Sequence, residues 1–335
     1  MIHVSFPRRP DDYAADCVWH AQLSHHVYHG LCRQLGHGKV EFVEWDRVVA
    51  AAPQDLIVTC LPKANYRTGA RIIGVENDTL IQRRWTHGTF DCHGIEARVD
   101  DVRELFPLLR NAAGLLVMTH DVALARLAAG EADATGDVRR LEACCNGNIH
   151  VGPHPIDRTR FRRWPKTRLN RQRWWTRHRH RMMIYHAGWR KNSGEAIAMM
   201  KDLGFREGEH FDVVDFVNKN DEASMKALVD RYSIVFSGSF SESGPINIIE
   251  YLIQGFVIAG HEARWDGYGF AESVWSCDPS QADEMRRRLL WLMDEGNLPA
   301  MLRHRERIHA HFMEREDMAW DGFIDRLLAI IERAS

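Results

Sequence analysis

Residues 237–256 read SGSFSESGPINIIEYLIQGF, setting two glutamates, Glu242 and Glu250, around a Gly-Pro turn with seven residues between them. The stretch continues the apolar run SIVFSG (233–238), which reads as a buried strand. Pro245 suits the first position of a helix, where its missing N–H would be unpaired in any case, and Gly255 stands where a helix-ending glycine belongs. The spacing therefore predicts a helix over 245–254 whose first turn emerges from a Ser/Gly-rich loop. Free backbone N–H groups and the helix dipole make such an end a ready site for a phosphate. Glu250 lies between Ile249 and Tyr251 on an otherwise apolar helix, a poor place for an idle carboxylate. The plain alternative is two solvated acids on a surface helix.

The surroundings keep the same rhythm. Upstream, RMMIYHAG (181–188) and FDVVDFV (211–217) read as strands, with helical spacing over 193–203 and 222–231; downstream, FVIAG (256–260) reads as a strand and helices fill the chain from Ala282. The first half repeats the pattern. MIHVSF (1–6), KVEFVEW (39–45), DLIVTCL (55–61), ARIIGVEN (70–77), GLLVMT (114–119) and NIHV (148–151) read as strands, and 19–35 carries helical spacing. Short apolar runs separated by helices are what a parallel sheet covered on both faces requires. A length of 335 residues exceeds the roughly 250–300 at which single cores stop growing. The expected fold class is α/β, with two Rossmann-like, doubly wound sheets in tandem and a cleft between them.

Composition is that of a globular chain, 45% hydrophobic and 27% charged. The N-terminus meets charge by Arg8, unlike a signal peptide, and no apolar run approaches the ~18 residues of a membrane span, so a cytoplasmic place is expected, with or without peripheral attachment to the inner face of the membrane. Seven cysteines in no Cys-x-x-Cys spacing suggest buried free thiols, the vicinal Cys144–Cys145 pair included. The net charge of −2 conceals an asymmetry: RTRFRRWPKTRLNRQRWWTRHRHR (158–181) carries eleven Arg/Lys and no acid, interleaved with Phe161, Trp164, Trp174 and Trp175. Without those eleven charges the chain stands at about −13. Such a segment reads as a solvated linker paired with acidic neighbours, as a surface for anionic lipid, or as one for nucleic acid.

A carboxylate accepts two hydrogen bonds from neighbouring hydroxyls, so one acid of the pair can hold a ribose and the other a sugar, with a diphosphate at the helix end between them. With its setting, YSIVFSGSFSESGPINIIEYLIQGFVIAG resembles the donor-site motif of retaining GT-B-fold glycosyltransferases (the group 1, family 4-like enzymes), in which two glutamates are separated by seven residues. MMIYHAGWRKNSGEAIAMMKDL (182–203) resembles that family's first C-domain strand with its basic diphosphate-binding loop. HVGPHPIDRTRF (150–161) is similar to the end of its N-domain, and MAWDGFIDRLLAIIE (318–332) to its terminal Trp-bearing helix. The resemblance implies an acceptor-side domain over 1–152, the basic Arg/Trp-rich linker over 153–181, a nucleotide-sugar donor domain over 182–316 and a terminal helix over 317–335 crossing back to the first domain.

The resemblance also implies roles. Glu242 would bind the donor sugar and Glu250 the ribose; Ser243, Gly244, Pro245 and Ile246 would form the turn against sugar and phosphates, with Gly188 and Asn218 bordering the nucleotide. Arg190 and Lys191 would stabilise the leaving diphosphate, although family members usually separate this Arg and Lys by several residues and here they are adjacent. Many relatives carry a His at the end of the fourth strand. Here GVENDTL (74–80) offers Glu76, Asn77 and Asp78, either as acceptor contacts and a base or as helix caps, and His87 and His120 are alternatives among nineteen histidines. His154, in GPHPID, reads as holding the domain junction rather than doing chemistry. Acceptor groups are expected in the loops 7–15, 62–69 and 78–94.

The implied reaction is metal-independent sugar transfer with retention at the anomeric carbon. The nucleotide-diphosphate sugar is a co-substrate, and no cofactor is expected. The acceptor would be a glycan or lipid-linked glycan of the cell envelope, with peripheral contact to anionic membrane or nucleic acid through 158–181. Competing readings are a nucleotide-sugar-binding protein without transferase activity, an epimerase or hydrolase on the same fold, and a glycosyltransferase acting on nucleic acid. A dinucleotide oxidoreductase is disfavoured, since no Gly-x-Gly-x-x-Gly follows strand 1–6 or 182–188.

Overall fold

The computed structural model describes residues 1–14, 19–45, 52–60, 71–76, 89–92, 95–98, 112–118, 147–158, 181–185, 193–215, 222–236, 250, 257–259 and 281–335. The chain divides into two compact units, Met1–Pro155 with Asp317–Ser335, and Ile156–Glu316.

The first unit is built on a six-stranded sheet. Its strands are β1 (Ile2–Ser5), β2 (Val40–Phe42), β3 (Leu56–Cys60), β4 (Arg71–Glu76), β7 (Ala112–Met118) and β8 (Ile149–Gly152), ordered β2-β1-β3-β4-β7-β8 and parallel throughout. Alternate residues on both faces are closed off. Val58, Ile73 and Leu116 are fully buried, and so are their neighbours Ile57, Ile72 and Leu115. That is why these strands read as continuous apolar runs rather than as alternation. Between β4 and β7 the chain forms an antiparallel pair, β5 (Thr89–Cys92) and β6 (Ile95–Arg98). This corrects the reading of 78–94 as loop: only His93 and Gly94 separate the two runs, the length of a tight hairpin connection, and neither run has the apolar content that marked the buried strands.

Helix α1 (Trp19–Leu35) and the C-terminal helix, α6 (Trp320–Ala334), pack with this sheet. Trp320, Phe323, Ile324, Leu327, Ile330 and Ile331 form one apolar stripe on α6, at the spacing expected of a core-facing helix, and join Val4, Phe6, Leu31 and Val75 in a single core. The approach is close. A Cβ on Gly114 of β7 would stand 2.2 Å from Cγ2 of Ile330, and one on Gly30 of α1 would stand 2.7 Å from Ile324. Polar ties finish the seam: Asn148 Nδ2 donates to the carbonyls of Ala113 (2.7 Å) and Ile330 (3.1 Å). The Arg71 guanidinium donates to the Ala334 carbonyl, where a cation complements the negative end of α6.

The second unit carries a four-stranded parallel sheet, β9 (Met182–Tyr185), β10 (Phe211–Val214), β11 (Ile234–Phe236) and β12 (Val257–Ala259), in the order β10-β9-β11-β12. Helices α2 (Ser193–Asp202), α3 (Glu222–Arg231), α4 (Ala282–Met293) and α5 (Leu298–Glu314) follow the expected alternation. Met182, Ile184, Phe211, Ile234 and Phe236 meet Met200, Met285, Leu289 and Met301 in its core.

The two ends of the basic segment are tied down within this unit. Arg181 grips Asp212 with a two-pronged contact (Nε to Oδ2 and Nη2 to Oδ1, both 2.8 Å) and donates to the Gly208 carbonyl at 2.6 Å. Arg158, its side chain 11% exposed, pairs with Glu316 at 3.1 Å. At these two positions the arginines do pair with carboxylates, but neither side chain is solvated; 159–180 lie outside the described residues.

Candidate functional site

A parallel sheet offers its binding crevice at the carboxyl ends of its strands, where the strand order reverses. In the second unit β10 and β11 lie on opposite sides of β9, so the reversal falls between β9 and β11. Ile184 of β9 pairs with Phe236 of β11 at that end. Two segments leave the sheet there. Residues 186–192, with Gly188, Arg190 and Lys191, run from Tyr185 to the first residue of α2, Ser193. Residues 237–249, with Glu242, Ser243, Gly244, Pro245 and Ile246, run from Phe236 to Glu250. Asn218 follows β10, the other neighbour of β9. The segments themselves lie outside the described residues; their points of departure are adjacent strands.

Glu250 is described, and it is helical. It is 2% exposed, a burial that glutamate reaches only with partners, and it is not without one here. The solvated-surface alternative for this acid is excluded by its burial. Ser193, opening α2 two residues after Lys191, is also buried.

In the first unit the reversal falls between β1 and β3, since β2 lies beyond β1 on the other side. The Thr59 hydroxyl donates to the Ser5 carbonyl at 2.7 Å, both residues fully buried, and so ties these strands together near that end. Thr59 was not singled out from the sequence; a polar β-branched residue inside LIVTC was its only signal. Glu76 is the last residue of β4 and pairs with Val117 of β7, at the same end of the sheet. Asp78, Asn77, His87 and His120 lie outside the described residues. The loop after β1 contains a short 3-10 turn, Pro10–Ala14, fastened to α1: the Ser24 hydroxyl donates to the Arg8 carbonyl and His25 Nδ1 to that of Pro10 at 3.0 Å. His154 is 2% exposed and packs edge-on against Trp19, ring centroids 5.3 Å apart.

Among the described residues no group of three or more His, Cys, Asp or Glu side chains is arranged to hold a metal, and no helix is long and apolar enough to cross a membrane. Cys32 and Cys60 are buried free thiols.

No family model matches the sequence, and no curated protein matches it. Solved structures do. A sucrose-phosphate synthase from Thermosynechococcus elongatus superimposes with a TM-score of 0.57 at 11% identity, over 100% of this chain and 99% of that one. An α,α-trehalose 6-phosphate synthase from Burkholderia multivorans gives 0.64 at 10% identity, again over 100% and 99%. WaaG, a glycosyltransferase involved in lipopolysaccharide biosynthesis, gives 0.57 at 10% identity over 98% and 99%. These are GT-B glycosyltransferases. At such low identity the likeness speaks for architecture, and the architecture of this chain, two parallel-sheet α/β units, is the GT-B fold.

Proposed function

We propose that the chain is a glycosyltransferase that moves a sugar from a nucleotide-diphosphate sugar to a hydroxyl acceptor, with the donor held by the second unit. One observation carries the reading: both segments singled out from the sequence for the donor leave the sheet from neighbouring strands, β9 and β11, at the reversal of strand order. The burial of Glu250 supports it, as does likeness to GT-B enzymes over essentially the whole chain.

In this reading Glu250 accepts hydrogen bonds from the ribose hydroxyls and Glu242 orients the donor sugar. Arg190, Lys191 and the backbone N–H groups around Ser243, Gly244 and Ile246 take up the charge that develops on the departing diphosphate. These cationic and N–H groups do the work without a metal. Gly188 and Asn218 border the nucleotide, and Glu76 and Asp78 belong to the acceptor side. Retention at the anomeric carbon rests on the Glu-x7-Glu resemblance. A cell-envelope glycan is the acceptor class favoured, since one of the like structures works in lipopolysaccharide biosynthesis and 158–181 offers Arg and Trp to an anionic membrane surface.

The test is calorimetric titration of UDP, GDP, ADP and TDP into the wild type and Glu250→Ala. One diphosphate is expected to bind in the micromolar range and to be lost in the variant. Absence of binding by all four would sink the reading.

A further inference from the structure

The chain passes between its two units twice, from Pro155 to Ile156 and from Glu316 back to Asp317. On each side of this double crossing one arginine joins the outgoing stretch to the returning one. In the first unit Arg326 Nη1, on α6, donates to the Asp317 carbonyl at 3.1 Å. The same guanidinium fills the space beside Gly152, the last residue of β8: a Cβ there would stand 2.8 Å from Nε and 3.0 Å from Cζ. In the second unit Arg158 Nη1 pairs with Glu316 Oε1, also at 3.1 Å.

In both arginines the other two nitrogens, Nε and Nη2, are sealed from solvent. Burial pushes the Arg326 pKa down, against the pull of the Asp317 and Asp325 carboxylates. A polar bond made where water is excluded is stronger than an exposed one, and a planar guanidinium loses little freedom in making it. The stretches being joined are stiff as well. Pro153 and Pro155 fix their own backbone angles on either side of His154. His154 meets Trp19 edge-on, and Trp19 stacks on Trp320, three residues past the return, with centroids 5.7 Å apart. The first unit thus bridges the two stretches twice, through Arg326 and through Trp19. The second unit's clasp is lighter: Glu316 is 88% exposed, so its pair with Arg158 has the strength of a surface ion pair.

We infer that Arg326 and Arg158 clasp the two crossings into a single two-stranded hinge, firm on the first unit's side and easily opened on the second's. Two strands held side by side turn about one line, whereas two separate tethers let the units swivel. Both arginines are then positioning residues, acting on the reaction only through the crossings. That consequence rests on the proposed sugar transfer; the clasp itself does not.

Hydrogen exchange of the full chain, followed by mass spectrometry on peptides over 149–158 and 315–326, tests the clasp. Arg326→Gln and Gly152→Ala should each speed exchange about tenfold in both peptides, the scale of one hydrogen bond from a charged group. Glu316→Gln, a change at an exposed side chain that leaves the fold intact, should speed both about threefold, the scale of a surface pair. Glu207→Gln, which removes an exposed pair with Lys201 elsewhere in the second unit, is the control and should change neither. The three clasp variants should also lower kcat for transfer while leaving the affinity for the donor's nucleoside diphosphate unchanged. Exchange that rises only in the peptide carrying the substitution overturns the inference, because the crossings are then independent. A rise by the same factor in β1 and β9 overturns it too, as plain loss of stability. Coupled exchange with kcat unchanged removes the positioning role. Coupled exchange with no transfer from any donor upholds the clasp and sinks the proposed function instead.

Discussion

The two ends of the parallel sheets differ in how their charges are spent. At the amino end of the second sheet Arg181, Asp212, Tyr232 and Arg231 form a closed set. The Tyr232 hydroxyl donates to Asp212 Oδ2 at 2.8 Å, and Arg231 adds an ion pair to the same oxygen at 3.0 Å. The first sheet is similar there: the Met1 amino group meets Asp55 at 2.8 Å, and His3 lies between Glu41 and Asp55 at 2.6 and 3.4 Å. At the carboxyl ends, by contrast, stand the segments that carry Arg190, Lys191, Glu242 and Glu76. In an α/β unit the helices that follow the strands begin at the carboxyl end, which becomes the positive pole suited to anions. Charges at the other end serve cohesion. The largest expected effect tests this division. Glu250→Ala should lower donor affinity and kcat/KM by about 10²-fold, the scale of one or two hydrogen bonds to a charged group, while the protein stays folded. Asp212→Ala should do the reverse, leaving donor affinity unchanged in the folded protein.

What Asp212→Ala should cost is stability. Its carboxylate is 16% exposed and Arg181 22%, so the pair sits between a surface ion pair and a buried one. Surface pairs contribute about 0–1 kcal/mol, and breaking a buried one costs about 3–5. A loss of about 2–3 kcal/mol is expected, measured by urea denaturation of the second unit's transition. A loss below about 0.5 kcal/mol would erase the contrast between the two ends.

In the first unit the seam between α6 and the sheet tests packing. Gly114→Ala drives a methyl group into Ile330 and Asn148, neither of which can retreat without disturbing the α6 stripe. The expected loss is about 1–3 kcal/mol, read as a lower Tm of the first unit, with donor binding unaffected. If the variant matches wild type, α6 approaches β7 less closely than described.

Much of this architecture is legible in the chain because burial writes itself into composition. A strand covered on both faces must be apolar along nearly its whole length, and LIV (56–58), IIGV (72–75), MMIY (182–185) and IVF (234–236) are. The α6 stripe, with Trp320, Phe323, Ile324, Leu327 and Ile330, repeats at helical spacing because one face alone meets the core. The β5–β6 hairpin is not legible in this way, since TFDC and IEAR are short and mixed in character. Arg181 reads in sequence as the last of a basic run, yet it belongs to Asp212, thirty-one residues away. Nothing local can announce such a partner. Of the candidate site, Glu250 was legible because an acid among Ile and Tyr on a helix needs a reason, and its burial agrees. The turn chemistry around Gly244 rests on motif alone.

The smallest effect is the most diagnostic of the amino-end network, because a single set of groups should shape both pH limits of stability. Burial works to raise the Asp212 carboxyl, but hydrogen bonds from Arg181 and Tyr232 outweigh it and leave it below its ordinary value. A depressed carboxyl contributes stability above its unfolded pKa, and this is lost as pH falls through the folded one. Asp55, drawn down to about 2 chiefly by the chain's amino group, acts in the same direction, so stability should decline from near pH 3.8 downward. Tyr232 behaves oppositely. Burial first, then the Asp212 carboxylate, push its hydroxyl from 10.0 up to about 12. A raised group contributes stability below its unfolded pKa that drains away as pH climbs through the folded one. The alkaline loss should therefore run from about pH 10 to 12. Tyr232→Phe should flatten that limb while costing only about 1 kcal/mol at neutral pH, the worth of one hydrogen bond. Denaturation midpoints at pH 7, 9.5 and 11.5 would show it: an unchanged alkaline limb in the variant means that another tyrosine or a lysine sets the limit, and that the network acts at its acid end alone.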